Sequence, residues 1–277
     1  KSHSLWAEKY RPTSMDEYIC DANLKNIIND FIERKDIPQL LFYGDAGSGK
    51  TTLAKIITNN IPCDVMYVNA SDHTGVDFIR DRVKPFAAST GFQDLKIVIL
   101  DEMDFISPSS QAALRNLMET YSENTRFILT CNFIEKVISP LISRCQQLRI
   151  QPPNKRDVAM YVQNVLVSEN IRHQLDDIKY IVNSYYPDIR KIVNYSQQIS
   201  TSGKIKHIKN QSASFDLKNK VLDLLSKSES NSNCFNEIRE IINDSGIKQF
   251  EELYRELYEK VHIYAENNTI EAILIVA

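Results

Sequence analysis

The octapeptide Gly44-Asp45-Ala46-Gly47-Ser48-Gly49-Lys50-Thr51 constrains this chain more than any other stretch. It satisfies the spacing G-x-x-x-x-G-K-[ST], and its flanks suit the same reading. Leu40-Leu41-Phe42-Tyr43 enters it as a buried strand would, and Thr52-Leu53-Ala54-Lys55-Ile56-Ile57 leaves it with helical spacing. Strand, glycine loop and helix start thus follow in the order a phosphate cradle requires. Glycines let backbone N–H groups turn inward, and the helix N-terminus adds partial positive charge. Lys50 is placed to reach phosphate oxygens and Thr51 to ligate Mg²⁺. ATP with Mg²⁺ is the expected ligand, held by Gly47, Ser48, Gly49, Lys50, Thr51 and Thr52.

The chain around this loop alternates strands with helices. Residues 21–35 carry one apolar face, Val65-Met66-Tyr67-Val68 reads as a second buried strand, and 76–86 reads as a helix. Ile97-Val98-Ile99-Leu100 is a third strand running into Asp101-Glu102. A helix over 108–121 follows, with proline in its first turn, and Arg126–Thr130 is a fourth strand. Such alternation predicts a parallel α/β sheet with a nucleotide at the C-terminal ends of its strands. Asp101 is then expected to hold the metal's water shell with Thr51, and Glu102 to polarise the attacking water. Asn132, just past the fourth strand, is a candidate to orient that water.

Composition narrows the class. The 277 residues exceed one typical domain, and the formal charge of −3 excludes a chain that is basic throughout, though not a local basic face. Five cysteines, at positions 20, 63, 131, 145 and 234, form no C-x-x-C pair, which fits reduced thiols and not a disulfide framework or zinc site. The sequence reads as soluble and intracellular, with no membrane segment.

Seven stretches together carry a resemblance: residues 5–12 (LWAEKYRP), 44–51 (GDAGSGKT), 69–72 (NASD), 97–102 (IVILDE), 111–121 (QAALRNLMETY), 126–132 (RFILTCN) and 143–145 (SRC). In kind and order they resemble the small ATPase subunits of sliding-clamp loaders, AAA+ proteins of the replication factor C and bacteriophage types. The match runs from about residue 5 to about residue 200. It implies an AAA+ phosphate-loop domain over 1–151, a small helical lid over 152–202 and an all-helical collar over 203–277. It also implies an ATP hydrolase that works in a five-subunit ring with other loader subunits, a sliding clamp and primer–template DNA.

The resemblance further implies roles for individual residues. Arg144 would be a trans-acting arginine finger, completing a catalytic site on the next subunit. Ala7, Glu8, Lys9, Tyr10 and Ile19 would enclose the adenine, and Arg190 would report on the γ-phosphate from the lid. Arg80, Lys84 and Arg115 would track DNA phosphates. The chain departs from the pattern at Asn116, where a second arginine is common, and at His73-Thr74-Gly75, where a basic residue is common. Two other readings are a different AAA+ DNA remodeller, such as a helicase loader or Holliday-junction motor, and a non-hydrolysing scaffold subunit, which would be expected to lack Lys50, Glu102 or Arg144.

Beyond Pro152-Pro153 the apolar pattern is helical only, over 154–169, 176–186 and 188–200. A polar linker at 200–214 precedes expected helices near 216–227, 234–243 and 248–265. The sequence ends on the apolar run 270–277 without a cap, which reads as a truncation.

Overall fold

The computed structural model describes residues 4–72, 75–201, 203–205, 220–225, 234–245 and 257. Two compact units make up the chain, Lys1–Lys204 and Ile205–Ala277. In the second, a helix spans Cys234–Ser245. The rest of the expected collar helices, the run 270–277, and His73 and Thr74 lie outside the described residues.

The first unit is built on a parallel sheet of five strands: β1 (Leu40–Tyr43), β2 (Asp64–Asn69), β3 (Lys96–Asp101), β4 (Thr125–Cys131) and β5 (Gln146–Arg149). Their order is β2-β3-β4-β1-β5. Alternate side chains divide the core between the two faces. Leu41, Val98, Leu100, Phe127 and Leu129 pack on one side with Leu114, Leu117 and Met118 of α6 (Pro108–Thr120). Leu40, Phe42, Ile97, Ile99 and Ile128 pack on the other with Ile28 of α2 (Ala22–Arg34) and Leu53, Ile56 and Ile57 of α3 (Lys50–Asn60). Each such side chain contributes about 1.5–3 kcal/mol when fully buried.

Position in the sheet explains where the sequence reading needs correction. β2 is an edge strand, so Val65 and Tyr67 are exposed at 44% and 45% and the strand is not buried as expected. β5 went unread because it is the other edge, with the polar sequence Gln-Gln-Leu-Arg and partners on one side only. The single helix expected over 76–86 is three pieces. Val76–Phe78 (α4) and Lys84–Ala88 (α5) flank a π-helical turn at Ile79–Val83. Pro85 has no N–H for the carbonyl four residues back, and the backbone widens just before it.

β3 is buried along all six residues, including Lys96 at its start. The Lys96 ammonium donates to the carbonyls of Phe86 (3.2 Å), Ala87 (2.6 Å) and Ser89 (2.5 Å), closing the C-terminus of α5. A cation there also complements the helix dipole.

A one-turn helix, α7 (Ser139–Ile142), lies between β4 and β5, and three helices follow the sheet: α8 (Lys155–Ser168), α9 (Leu175–Tyr185) and α10 (Ile189–Ile199). They share a small core of Val162, Val165, Ile181, Val182, Ile192 and Val193. From the sequence, residues 4–12 read as an extended apolar and basic segment stopped by Pro12, but they hold a one-turn helix, α1 (Trp6–Lys9), which packs on α10. Trp6 is buried, and its backbone N–H donates to Gln197 Oε1 at 2.9 Å. Burying the indole sets that turn, which a nine-residue stretch ending in proline does not advertise.

Candidate functional site

The C-terminal ends of β1, β4 and β3 lie side by side, and each opens into a loop carrying polar groups. The loop after β1 turns on glycines with positive φ. At Gly47 (φ 76°) a Cβ would fall 2.1 Å from Asp188 Oδ1, and at Gly49 (φ 99°) it would fall 2.8 Å from the Tyr18 hydroxyl. Only glycine combines that backbone with that closeness.

Lys50, the first residue of α3, is 8% exposed and folds back over the loop. Its ammonium donates to Gly44 O, Asp45 O and Asn132 Oδ1, each at 2.8 Å. Burial lowers its pKa from the ordinary lysine value, against the pull of Cys131, Asp101 and Asp104. Burial likewise pushes the Cys131 thiol up to about 12, which keeps it neutral. Ser48 Oγ is buried in the same loop with no hydrogen-bond partner.

Asp101 ends β3 as the acceptor of three hydroxyls. Thr51 Oγ1 donates at 2.9 Å, Thr130 Oγ1 at 2.5 Å and Tyr67 OH at 2.9 Å. Glu102 follows with φ 61°, a left-handed conformation that is strained for a side chain of this kind and clusters at functional sites. Its N–H donates to Thr130 Oγ1 at 3.1 Å.

These groups line one pocket, whose empty space, mouth included, is about 1040 Å³. Gly47 to Thr52, Asp101, Glu102 and Asn132 come from the sheet end, and Ile189, Arg190 and Val193 from α10. Ala7, Arg11, Tyr18 and Ile19 come from the N-terminal segment. The side chains of the other three adenine candidates lie elsewhere. Glu8 pairs with Arg11, while Lys9 Nζ and Tyr10 OH both donate to Glu169 Oε1, at 2.6 and 2.7 Å. Those donors hold the Glu169 carboxyl below its ordinary value. They tie the N-terminal segment to the end of α8, as does Tyr161 OH, which donates to Tyr10 O at 2.9 Å.

The remaining candidates sit on the surface outside the pocket. Arg144 pairs with Glu119 Oε1 and donates to Pro140 O at 3.1 Å. Arg115 lies 3.8 Å from the same Glu119 oxygen and donates to Asn116 Oδ1 at 3.1 Å. Arg80 and Lys84 are exposed. Sequence reasoning missed Tyr18, Tyr67, Thr130, Tyr161 and Asp188 as site residues. Thr130 ends the expected strand 126–130, but nothing in the sequence says that this strand neighbours the one ending in Asp101.

The donor set fits a Mg²⁺ nucleotide. A buried ammonium, an orphaned buried hydroxyl and a helix N-terminus suit phosphate oxygens. Thr51 and Asp101 give a hard cation two oxygen ligands, leaving the rest of its shell to phosphate and water. Among the described residues no group of three or more His, Cys, Asp or Glu side chains gathers as a metal cage.

Comparison with known proteins agrees with this geometry. Residues 40–153 match the family model described as ATPase family associated with various cellular activities (AAA). The chain is 38% identical over 208 residues to replication factor C small subunit 1 of Pyrobaculum islandicum, covering 73% of this chain and 63% of that protein. The replication factor C small subunit of Sulfolobus acidocaldarius is also 38% identical, with 64% of its length covered, and that of Halobacterium salinarum is 36% identical over 205 residues. The chain thus spans less than two thirds of the length of these relatives. Among solved structures, the Thermotoga maritima RuvB Holliday junction branch migration motor superposes with a TM-score of 0.59 over 91% of this chain and 79% of its own. At 16% identity that likeness is one of fold. Residues 40–153 thus carry an AAA-family ATPase domain, and over 73% of its length the chain is similar to the small subunits of replication factor C.

Proposed function

We propose that this chain is an ATPase subunit of a DNA-polymerase sliding-clamp loader. One observation carries the reading. Candidate phosphate-, metal- and water-handling groups line a single pocket, while Arg144 lies outside it on a surface. An arginine outside the lining of its own chain's pocket suits a site finished by a neighbouring subunit.

In this reading Lys50 and the loop N–H groups hold the β- and γ-phosphates, and Thr51 with Asp101 holds Mg²⁺. When bound, the metal draws charge from the phosphate oxygens and offsets what develops on the departing diphosphate. Glu102 accepts the proton of the attacking water, and Asn132 orients that water beside Lys50. Arg190 senses the γ-phosphate from α10, which starts beside the loop at Asp188. Ala7 and Ile19 cover the base, while Glu8, Lys9 and Tyr10 anchor the covering segment. Arg144 reaches the γ-phosphate held by the next subunit, and Arg80, Lys84 and Arg115 take up DNA phosphates without reading sequence. The partners are the other loader subunits in a five-membered ring, a sliding clamp and primer–template DNA. The domains follow the divisions 1–151, 152–202 and 203–277, and the place of action is the compartment where DNA is replicated. No helix among the described residues is long and apolar enough to cross a membrane.

The test is ATP hydrolysis by the full-length protein purified with its native partner subunits. Primed DNA and the cognate clamp together are expected to stimulate turnover at least about tenfold over either alone. Stimulation by branched DNA with no response to clamp would replace this reading with that of another AAA+ DNA remodeller.

A further inference from the structure

Asp101 is braced from both neighbouring strands, and one brace has no counterpart in the phosphate-loop pattern. Thr130 reaches it from β4 at 2.5 Å, and Tyr67 reaches it from β2, on the opposite side of β3, at 2.9 Å. The Tyr67 ring lies on the sheet edge and is itself held, with the Lys55 ammonium 4.9 Å from its centroid. Lys55 belongs to α3, the helix that begins in the phosphate loop. The tyrosine therefore spans from the loop's own helix to the carboxylate opposite Thr51.

Binding of a metal changes what Asp101 can keep. Thr51 Oγ1 stands 2.9 Å from both carboxylate oxygens, and its lone pairs are what a cation would use. Once that hydroxyl turns to the metal, Thr130 and Tyr67 are the two donors left to fix the carboxylate's rotation. Tyr67 Oη donates to Oδ2 and Thr130 to Oδ1, so each oxygen keeps one donor and the carboxylate plane is set by both. Groups that orient a metal-holding side chain in this way affect metal affinity about 10–100-fold.

We propose that Tyr67 is a positioning residue for the Mg²⁺ of this site, aligning Asp101 through its hydroxyl from the edge strand. The inference rests on the nucleotide-binding reading of the pocket and assigns its metal half a residue that the sequence pattern does not contain.

The test uses Tyr67→Phe, which removes one oxygen and keeps the ring and its contact with Lys55. A fluorescent ADP analogue is titrated into wild type and variant, once with MgCl₂ and once with EDTA. Wild type is expected to bind more tightly with Mg²⁺, and the variant to lose about tenfold of that gain while its EDTA affinity stays the same. Mn²⁺ titrated into the ADP complex and followed by its paramagnetic signal should show the same loss directly. An unchanged Mg²⁺ increment in the variant would overturn the proposal. An equal loss with and without metal would overturn it too, because Tyr67 would then be shaping the pocket and not the metal site. Wild type that binds no analogue under either condition would instead defeat the underlying nucleotide reading.

Discussion

The surroundings of Lys50 and of Arg144 are opposites. Around Lys50, groups from three strand ends, a helix and the N-terminal segment turn inward onto a shared space, and the residue is 8% exposed. Around Arg144, two guanidiniums share one oxygen of Glu119 on a surface where all three side chains are more than a third exposed. A buried, converging set of charges is costly to assemble and persists where a ligand completes it. An exposed pair is worth about 0–1 kcal/mol and yields easily to a stronger partner. The contrast is that of a buried, converging set of groups and an arginine held by an exposed ion pair.

Three substitutions probe that contrast, the strongest first. Lys50→Ala removes a charge-assisted donor from the converging set and is expected to weaken binding of a fluorescent ATP analogue by about a hundredfold or more. Wild-type affinity in that variant would mean the pocket does not bind phosphate through Lys50. Glu102→Gln keeps the shape and the metal ligand but removes the base. Turnover should fall by about 10²–10⁴ with ATP affinity within about twofold of wild type, compared by single-turnover hydrolysis and equilibrium binding. Loss of both together would show that the strained backbone at residue 102, and not its carboxylate, matters to the pocket. Glu119→Gln is the smallest change. It should cost about 1 kcal/mol or less in urea unfolding and leave ATP binding by the single chain untouched. A clear change in ATP affinity would join the two regions that the structure keeps apart.

Much of the converging site can be read from the sequence, and the reason is local. The phosphate loop is contiguous, Asp101 and Glu102 follow an unbroken apolar run, and Asn132 sits just past another. What escaped notice is what the sheet brings together from afar. Tyr67 and Thr130 meet Asp101 across 34 and 29 residues because parallel strands align their ends, and no periodicity reports which ends are neighbours. The same blindness hid β5 and the exposure of β2, since edge position is a property of the whole sheet. The turn at Trp6–Lys9 was missed for a related reason. Its stability comes from a partner almost two hundred residues away, through the hydrogen bond to Gln197.

Lys96 gives the chain a chemical clock for its own opening. The residue is 1% exposed and its ammonium is bonded to three carbonyls, whereas Lys179 and Lys191 stand with side chains 62% and 68% exposed. An amine-reactive reagent applied to the native protein therefore meets the surface lysines at once and Lys96 only when β3 separates from α5. Lys50 falls between them, with a proton held less tightly than usual but a side chain screened by the loop, and by phosphate whenever nucleotide is present. Mass spectra of a timed labelling series would so report surface, pocket and core as three separate rates from one amino-acid type.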